Sequence, residues 1–391
     1  MNRKSKIQNP KFPLDRIRRT LLRWYQKNRR ELPWRRTRDP YAILIAETML
    51  QQTRVRTVLP YYRRFLKAFP TVGALDRASK EKVLALWSGL GYYRRVENLK
   101  RAARIIAREH GGKIPRQFDS LRALPGVGAY TAGALMSIAF NRPYPALDGN
   151  ARRVLLRIFG IEDENDLYAI ASRAARCARP GEWNQALMEL GATICVARNP
   201  HCPLCPVRQS CAAWRCGRAL EKAPSAPTRA LVPRLASLAH DDPERGPTVT
   251  GRGPRRRVEK IQWPLLVIQK RQKVLLRRRP AAALLNGLWE AALLNGLWEL
   301  PGGERQRGES LTAALTRHLN GLGSIVDQSL LVGEVRHSIT HRRIRAPVFL
   351  LAQPGKEIRP GRGWRWAPLS SLRRYPLSSL SLKAIKLATE R

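Results

Sequence analysis

The sequence predicts a mostly α N-terminal domain over 1–216, a linker over 217–259 and a smaller α/β domain over 260–391. Three observations carry this. Through the first part, apolar residues recur at three and four positions, the period of helices with one buried face. Residues 217–259 lose any period and become rich in Pro, Ala, Arg and Gly, as in APSAPTRALVPRL and GPTVTGRGPRRR; such a stretch reads as a mobile linker that brings its own charge. From about 261 the period shortens to that of strands, over Trp263–Ile268, Lys273–Leu276, Ser329–Arg336 and Ile344–Leu351, with a helix expected over Ser310–Leu319.

The bulk numbers limit the function. A chain of 391 residues with 43% apolar content can bury a real core. Lys and Arg number 73 against 29 Asp and Glu, and the resulting charge of +44 attracts a polyanion. Nucleic acid is the first candidate. A membrane is disfavoured, because no run of about 18 apolar residues exists. The basic start MNRKSKIQNPKF lacks the apolar stretch of a secretory signal. Six cysteines, four of them clustered, suggest a metal or cluster site in a reducing compartment.

Residues 1–30 are basic and loosely helical, with Leu21, Leu22 and Trp24 as expected anchors. Leu32-Pro33-Trp34-Arg35-Arg36 is a Pro-bounded turn, in which Trp34 reads as core filler or as the wall of a base pocket. Pro40–Gln52 reads as a helix from its Pro start and apolar density. Glu47 is its odd member: of its same-face neighbours, Ile43, Leu44 and Leu50 are apolar and only Gln51 is polar. A carboxyl on such a face loses hydration, stays protonated near neutral pH and can donate a proton to a leaving group. The plainer alternative is a Glu at the edge of an amphipathic stripe. Gln51 and Gln52 end the helix, suited to base edges or to a solvated end. Over 54–110 further amphipathic helices are expected, broken near Pro70 and Gly73 and again at Gly89-Leu90-Gly91-Tyr92-Tyr93. The flat aromatic tip of that last turn can enter a base stack, or simply pack.

The turn Leu124-Pro125-Gly126-Val127-Gly128 precedes a helix pattern from Tyr130. Gly126 and Gly128 allow a tight hairpin with bare backbone N–H groups, a geometry that holds an anion such as a DNA phosphate. Asp148 is placed to cap the helix of Ala151–Phe159. A cap and a helix dipole favour the anion, so the expectation is a protonated Glu47 and an ionised Asp148, the two working parts of an acid-assisted glycosidic cleavage. Residues 165–194 read as helical and lead into Cys195-x6-Cys202-x2-Cys205-x5-Cys211. Four thiolates this close can share one centre, and the spacing leaves zinc and iron–sulfur both open. Cys177 reads as a buried thiol and Cys216 as a spare; Arg198, His201 and Arg208 decorate the loop. The segment AALLNGLWE at 282–290 is repeated letter for letter at 291–299, a local tandem duplication rather than an architecture.

With Glu47, the hairpin, Asp148 and the cysteines in this order, the chain resembles the helix–hairpin–helix DNA glycosylases, and among them the adenine DNA glycosylases of the MutY type. The matching motifs are LPWR (32–35), AETMLQQT (46–53), GLGYYRR (89–95), LPGVGAYTAGA (124–134), LDGNARRV (147–154) and WNQALMELGATIC (183–195), with the cysteine quartet. The resemblance implies a 4Fe–4S cluster on Cys195, Cys202, Cys205 and Cys211. It implies that Glu47 protonates the adenine ring and Asp148 stabilises the sugar cation, supported by Tyr130 and Asn150. Gln52 and Tyr92 would wedge the stack while the base is flipped out. Trp34, Arg35, Gln185 and Met188 would form the pocket wall. The related endonuclease III carries a Schiff-base lysine where this chain has Tyr130, which implies a monofunctional glycosylase rather than a lyase. An endonuclease III-like lyase and a non-catalytic, cluster-bearing DNA-binding protein are the alternatives.

The C-terminal part resembles the family's MutT-like Nudix domain. On the Nudix spacing Gly303, Glu309 and Arg317 are kept, and His318, Gly321 and Leu322 replace the remaining carboxylates. Metal-dependent pyrophosphate hydrolysis is not expected without them. The resemblance implies that this domain reads 8-oxoguanine, through His337, Ser338, Ile339, Thr340 and His341. The family has a Phe-Ser-His core at this loop; here Thr340 keeps the hydroxyl and Ile339 lacks the ring. The partner implied is double-stranded DNA with adenine opposite 8-oxoguanine or guanine. The protein is expected to be monomeric and cytoplasmic, at the nucleoid in a bacterial cell.

Overall fold

In helix α1 (Leu14–Asn28), Leu14, Ile17, Leu21 and Tyr25 recur at three- and four-residue steps and are all buried. The expected anchors Leu22 and Trp24 are only half-buried. At about 100° per residue they lie off the stripe that Leu21 shares with Ile17 and Tyr25. The computed structural model describes residues 14–161, 163–217, 259–278, 297–319, 323–339, 342–352, 354, 358 and 363–390. Nearly all of the expected linker, and the tandem repeat up to residue 296, lie outside the described residues.

The remaining helices of the N-terminal part are α2 (Pro40–Leu50), α3 (Val55–Ala68), α4 (Val72–Arg77), α5 (Lys80–Trp87), α6 (Arg94–Glu109), α7 (Phe118–Ala123), α8 (Ala129–Ala134), α9 (Gly149–Phe159), α10 (Glu164–Ala175), α11 (Pro180–Thr193) and α12 (Ala212–Arg215). A break near Gly73 does not occur, because Gly73 lies inside α4. The chain turns between α3 and α4 around Pro70, as expected, and again between α4 and α5. After α8 the backbone widens into one π-helical stretch, Leu135–Ala139. Such bulges often lie beside functional residues.

By Cα proximity the chain forms two compact units. One holds Met1–Tyr62, Thr71–Asp76 and Asn98–Asp242; the other holds Arg63–Pro70, Arg77–Glu97 and Pro243–Arg391. In the first, the α1 stripe packs into a core with Val154, Leu155 and Ile158 of α9, Leu167 of α10, and Trp183, Leu187 and Leu190 of α11. Glu189, with no exposed surface, sits on the same α11 and accepts from Arg30 and Arg35.

The second unit is built on a seven-stranded sheet: β1 (Glu259–Gln262), β2 (Leu265–Lys270), β3 (Lys273–Arg278), β4 (Trp298–Glu299), β5 (Leu330–Ile339), β6 (Arg342–Ala352) and β7 (Trp364–Pro368). The strand expected over Trp263–Ile268 begins only at Leu265, and an unexpected strand, β1, precedes it. Pro264 has no N–H for a ladder, so β1 and β2 pair separately along β6, both parallel to it. β5 pairs antiparallel with β6, and β3 pairs antiparallel with β2, β4 and β7. Alternate residues face opposite sides. Leu265 and Val267 join one core with Leu380, Ala384 and Ile385 of the helix Ser379–Thr389, while Leu266 and Ile268 join another with Leu315 of the helix Leu311–His318. The α/β expectation thus holds, with β1, β4, β7 and the last helix added. In the helical segments of this unit Phe65 meets Phe69 and Trp87 edge to face, with ring centroids 5.0 and 5.8 Å apart.

Candidate active site

Helix α2 is set by its start. Asp39 caps it, accepting from Tyr41 N and Ala42 N, and Pro40 takes the first helical position. From Tyr41 to Met49 every side chain is buried, Glu47 included at 5% exposure. Its carboxyl accepts a 2.6 Å hydrogen bond from the Tyr130 hydroxyl. Burial drives the Glu47 carboxyl up to about 7; the Tyr130 bond opposes this, the Asp148 charge adds to it, and Arg35 opposes it. The expected protonated acid is therefore present near neutral pH.

Tyr130 reaches Glu47 because of the hairpin before it. Gly126 has φ +81°, and a side chain there would meet Asn98 Cβ at 2.9 Å, so the turn requires glycine. Gly126 and Gly128 are both exposed at the start of α8. Nothing lies within 4 Å of a Cβ built on Gly128, which leaves its backbone open to an approaching group. Tyr130 is itself held far from ionisation, by burial first and then by the carboxylates of Glu47 and Asp148. Met188 Sδ lies 3.9 Å from its hydroxyl.

Asp148 is the N-cap of α9, as its sequence position suggested. It accepts from Ala151 N at 2.6 Å and from Asn150 Nδ2 at 3.1 Å. The expected lowering of its pKa does not occur. Burial pushes the carboxyl above its ordinary value, and the bonds from Ala151 and Asn150 and the charge of Arg153 only partly oppose this. The cap was legible in sequence, but the desolvation that outweighs it was not. The partners of the two carboxyls differ: Glu47 is met by the Tyr130 hydroxyl, whereas Asp148 accepts from the Ala151 and Asn150 N–H groups and lies in the field of Arg153.

Two arginines that the sequence reading passed over hold this end of the site. Arg153 donates to Asn150 Oδ1 at 2.8 Å, to Gly191 O at 2.7 Å and to Cys195 O at 2.9 Å, tying Asn150 to the cysteine loop. Arg157, buried on the next turn of α9, donates to Cys195 Sγ at 3.4 Å and to Val196 O at 2.8 Å. Cys195, Cys202, Cys205 and Cys211 line one cavity together with Arg157. Among the described residues no three His, Cys, Asp or Glu side chains converge closely enough for one metal ion; the four thiols ring the cavity instead. Cys177 packs half-buried against the helical core, and Cys216 is exposed.

The expected pocket wall divides. Met188 lies against the Tyr130 hydroxyl, and Arg35 acts on the Glu47 carboxyl through its charge. Trp34 is buried edge-to-face against Tyr62, as core filler would be. Arg35 donates to Glu189, and Gln185 accepts from the Tyr25 hydroxyl; both line a separate polar cavity with Arg29, Arg38 and Arg179. Glu189 was missed because its arginines lie more than 150 positions away. Gln52 is exposed with φ +57°, and Tyr92 is 48% exposed with φ +48°, so both wedge candidates sit in the left-handed region that side chains rarely adopt.

In the sheet unit, His337, Ser338 and the backbone of Ile339 end β5 opposite Ile344, Arg343 and Arg342 of β6. Thr340 and His341 lie outside the described residues. His337 is pushed towards its neutral form, by burial first and then by Lys383. At the Nudix position Glu309 is held by the Arg317 fork, with bonds of 2.9 and 2.8 Å.

The structure thus holds a buried acid on one helix, reached through a glycine hairpin and sharing its field with a capping aspartate. Residues 45–178 match the HhH-GPD superfamily of base excision DNA repair proteins, and residues 290–387 match a NUDIX domain. The adenine DNA glycosylase of Rattus norvegicus is 35% identical over 412 residues, covering 96% of this chain and 78% of that protein. That of Mus musculus is 37% identical over 383 residues, covering 89% and 73%. A solved thermostable thymine-DNA glycosylase aligns with 52% of this chain and 96% of its own, at 30% identity and a TM-score of 0.49. The chain belongs to the adenine DNA glycosylase family.

Proposed function

We propose that this protein is a monofunctional glycosylase that removes adenine opposite 8-oxoguanine or guanine in double-stranded DNA, leaving an abasic site. The observation that carries the reading is Glu47: a buried acid with a pKa of about 7, hydrogen-bonded to Tyr130 and in the field of Asp148. With the adenosine flipped out of the stack, protonated Glu47 donates to a ring nitrogen of the base. The C1′–N9 bond breaks and its electron pair leaves with the adenine. Asp148 as an anion balances the oxocarbenium-like sugar, and water adds to C1′ with loss of its proton to a carboxylate. Tyr130 supplies no amine, so no Schiff base forms with the sugar.

The N-terminal domain (1–216) carries the chemistry in this reading, and the C-terminal domain (260–391) reads the opposite base through the end of β5. Gly126 and Gly128 receive a backbone phosphate, and Gln52 and Tyr92 enter the stack. Cys195, Cys202, Cys205 and Cys211 would hold a 4Fe–4S cluster. The all-thiolate donor set around one cavity fits that group, and the buried Arg157 offsets its negative charge. A bound cluster supplies structure and charge at the DNA-facing loop, and no step of the cleavage runs through it.

The test is a single-turnover assay on duplexes with adenine opposite 8-oxoguanine, guanine and thymine. Fastest excision opposite 8-oxoguanine supports the reading, and equal rates on all three overturn the lesion assignment. A borohydride-trapped covalent adduct would instead support the lyase.

A further inference from the structure

Tyr92 stands on a turn whose strain falls on Tyr92 itself. Gly89 and Gly91 take φ of +92° and +76° freely, as glycines can, whereas Tyr92 is held at +48°, a region that side chains rarely adopt. Part of the restraint is local. Trp87 Nε1 donates to Gly91 O at 3.1 Å and Arg95 Nη2 donates to the same oxygen at 3.2 Å. The Arg95 guanidinium lies 5.4 Å from the Trp87 ring centroid and 5.3 Å from that of Tyr92.

The rest comes from the far end of the chain, within the same compact unit. Leu377 O accepts from Ser88 Oγ at 2.6 Å and from the Tyr93 hydroxyl at 3.1 Å. Leu377 N donates back to Ser88 Oγ at 3.1 Å. The Tyr93 hydroxyl also accepts from Gly89 N at 3.4 Å, and Ser379 Oγ donates to Gly89 O at 3.4 Å. Tyr93 and Leu377 are both buried, so water does not replace these bonds cheaply. The strap is anchored in turn to the sheet, where Trp298 N of β4 donates to Pro376 O at 2.9 Å.

We propose that the segment Pro376–Ser379 is a positioning strap for Tyr92: by clasping Ser88, Gly89 and Tyr93 it holds the strained turn that presents the ring. The C-terminal domain then acts on base extrusion as well as on reading the opposite base. This rests on the reading of Tyr92 as a wedge.

The experiment is a mutant cycle in the full chain. Ser88→Ala with Tyr93→Phe removes every bond of the clasp except that from Ser379 to Gly89, and leaves Tyr92 and the chemistry intact. In the wild-type background the pair lowers single-turnover excision of adenine opposite 8-oxoguanine by about 5–10-fold, as loss of buried hydrogen bonds implies. In a Tyr92→Ala background the same pair costs less than about 2-fold, because its effect runs through that ring. A duplex with 2-aminopurine opposite 8-oxoguanine gives a second readout, and its fluorescence rise on binding falls in the double variant. Equal losses in both backgrounds, or no loss in either, overturn the strap. If the double variant does not fold, Tyr93→Phe alone, which deletes one oxygen, is held to the same criteria. A wild type that unstacks 2-aminopurine but excises no adenine overturns the functional reading and leaves the strap to be judged by fluorescence. A wild type that does neither overturns both.

Discussion

Glu47 and Glu189 are both buried in the helical unit, yet they are held in opposite states. Burial pushes both carboxyls up. Glu47 is met by a neutral hydroxyl and reaches about 7. Glu189 is met by the side chains of Arg30 and Arg35 and by the Arg30 N–H, and is carried down to about 2. Exposure, 5% against 0%, does not separate them; the partners do. The first site keeps a transferable proton, and the second ties the loop after α1 to α11 with a fixed charge.

The comparison is most strongly tested at Glu47. Glu47→Gln keeps the shape and removes the proton, so single-turnover excision should fall by about 10²–10⁴-fold. The variant's stability should not fall, since a neutral amide replaces a desolvated acid. Excision at the wild-type rate would remove Glu47 from the chemistry.

Glu189→Gln should act on stability. It strands Arg35, which is nearly as buried as its partner, and should cost about 3 kcal/mol in denaturant unfolding. The pH windows of the two residues also differ. Glu189 has a folded value of about 2 against the ordinary 4.5, so its contribution is present above pH 4.5 and is lost as pH falls through about 2. Glu47 is the reverse: with a folded value of about 7 against 4.5, its contribution is present below pH 4.5 and is lost as pH rises through about 7. Each Gln variant should flatten the stability profile only in its own window, and a shared window would erase the distinction.

Tyr130→Phe removes the one hydroxyl that favours the Glu47 anion. The alkaline limb of the pH–rate profile should move upward, while excision at neutral pH drops about 10-fold through loss of positioning. A limb that moves downward contradicts the assignment. Asp148→Asn removes the charge and weakens the α9 cap; beside its loss of excision, the melting curve should report about 1 kcal/mol or less. A larger stability loss would mean that Asp148 is chiefly structural.

Much of the site was legible because its signals are local. A carboxyl among Ile43, Leu44 and Leu50 on one helix face announces desolvation, Asp148 before a helix announces a cap, and four cysteines within 17 positions announce a shared centre. The α/β character of the second unit was legible from its short period, although the strand β1 before Pro264 and the late elements β7 and Ser379–Thr389 were not.

The sequence by itself determined which elements the candidates Glu47, Tyr130 and Asp148 sit on, because periodicity, caps and glycine turns are decided by neighbours within a few positions. Tertiary structure alone decided the charge states and supports. It brought Arg30 to Glu189 across 159 positions, buried Asp148 deeply enough to reverse its expected shift, and set the Leu377 carbonyl against Tyr93 across 284 positions. The reason is that solvation and hydrogen-bond partnership depend on what the folded chain packs around a group, and the residues that do the packing come from anywhere in the sequence.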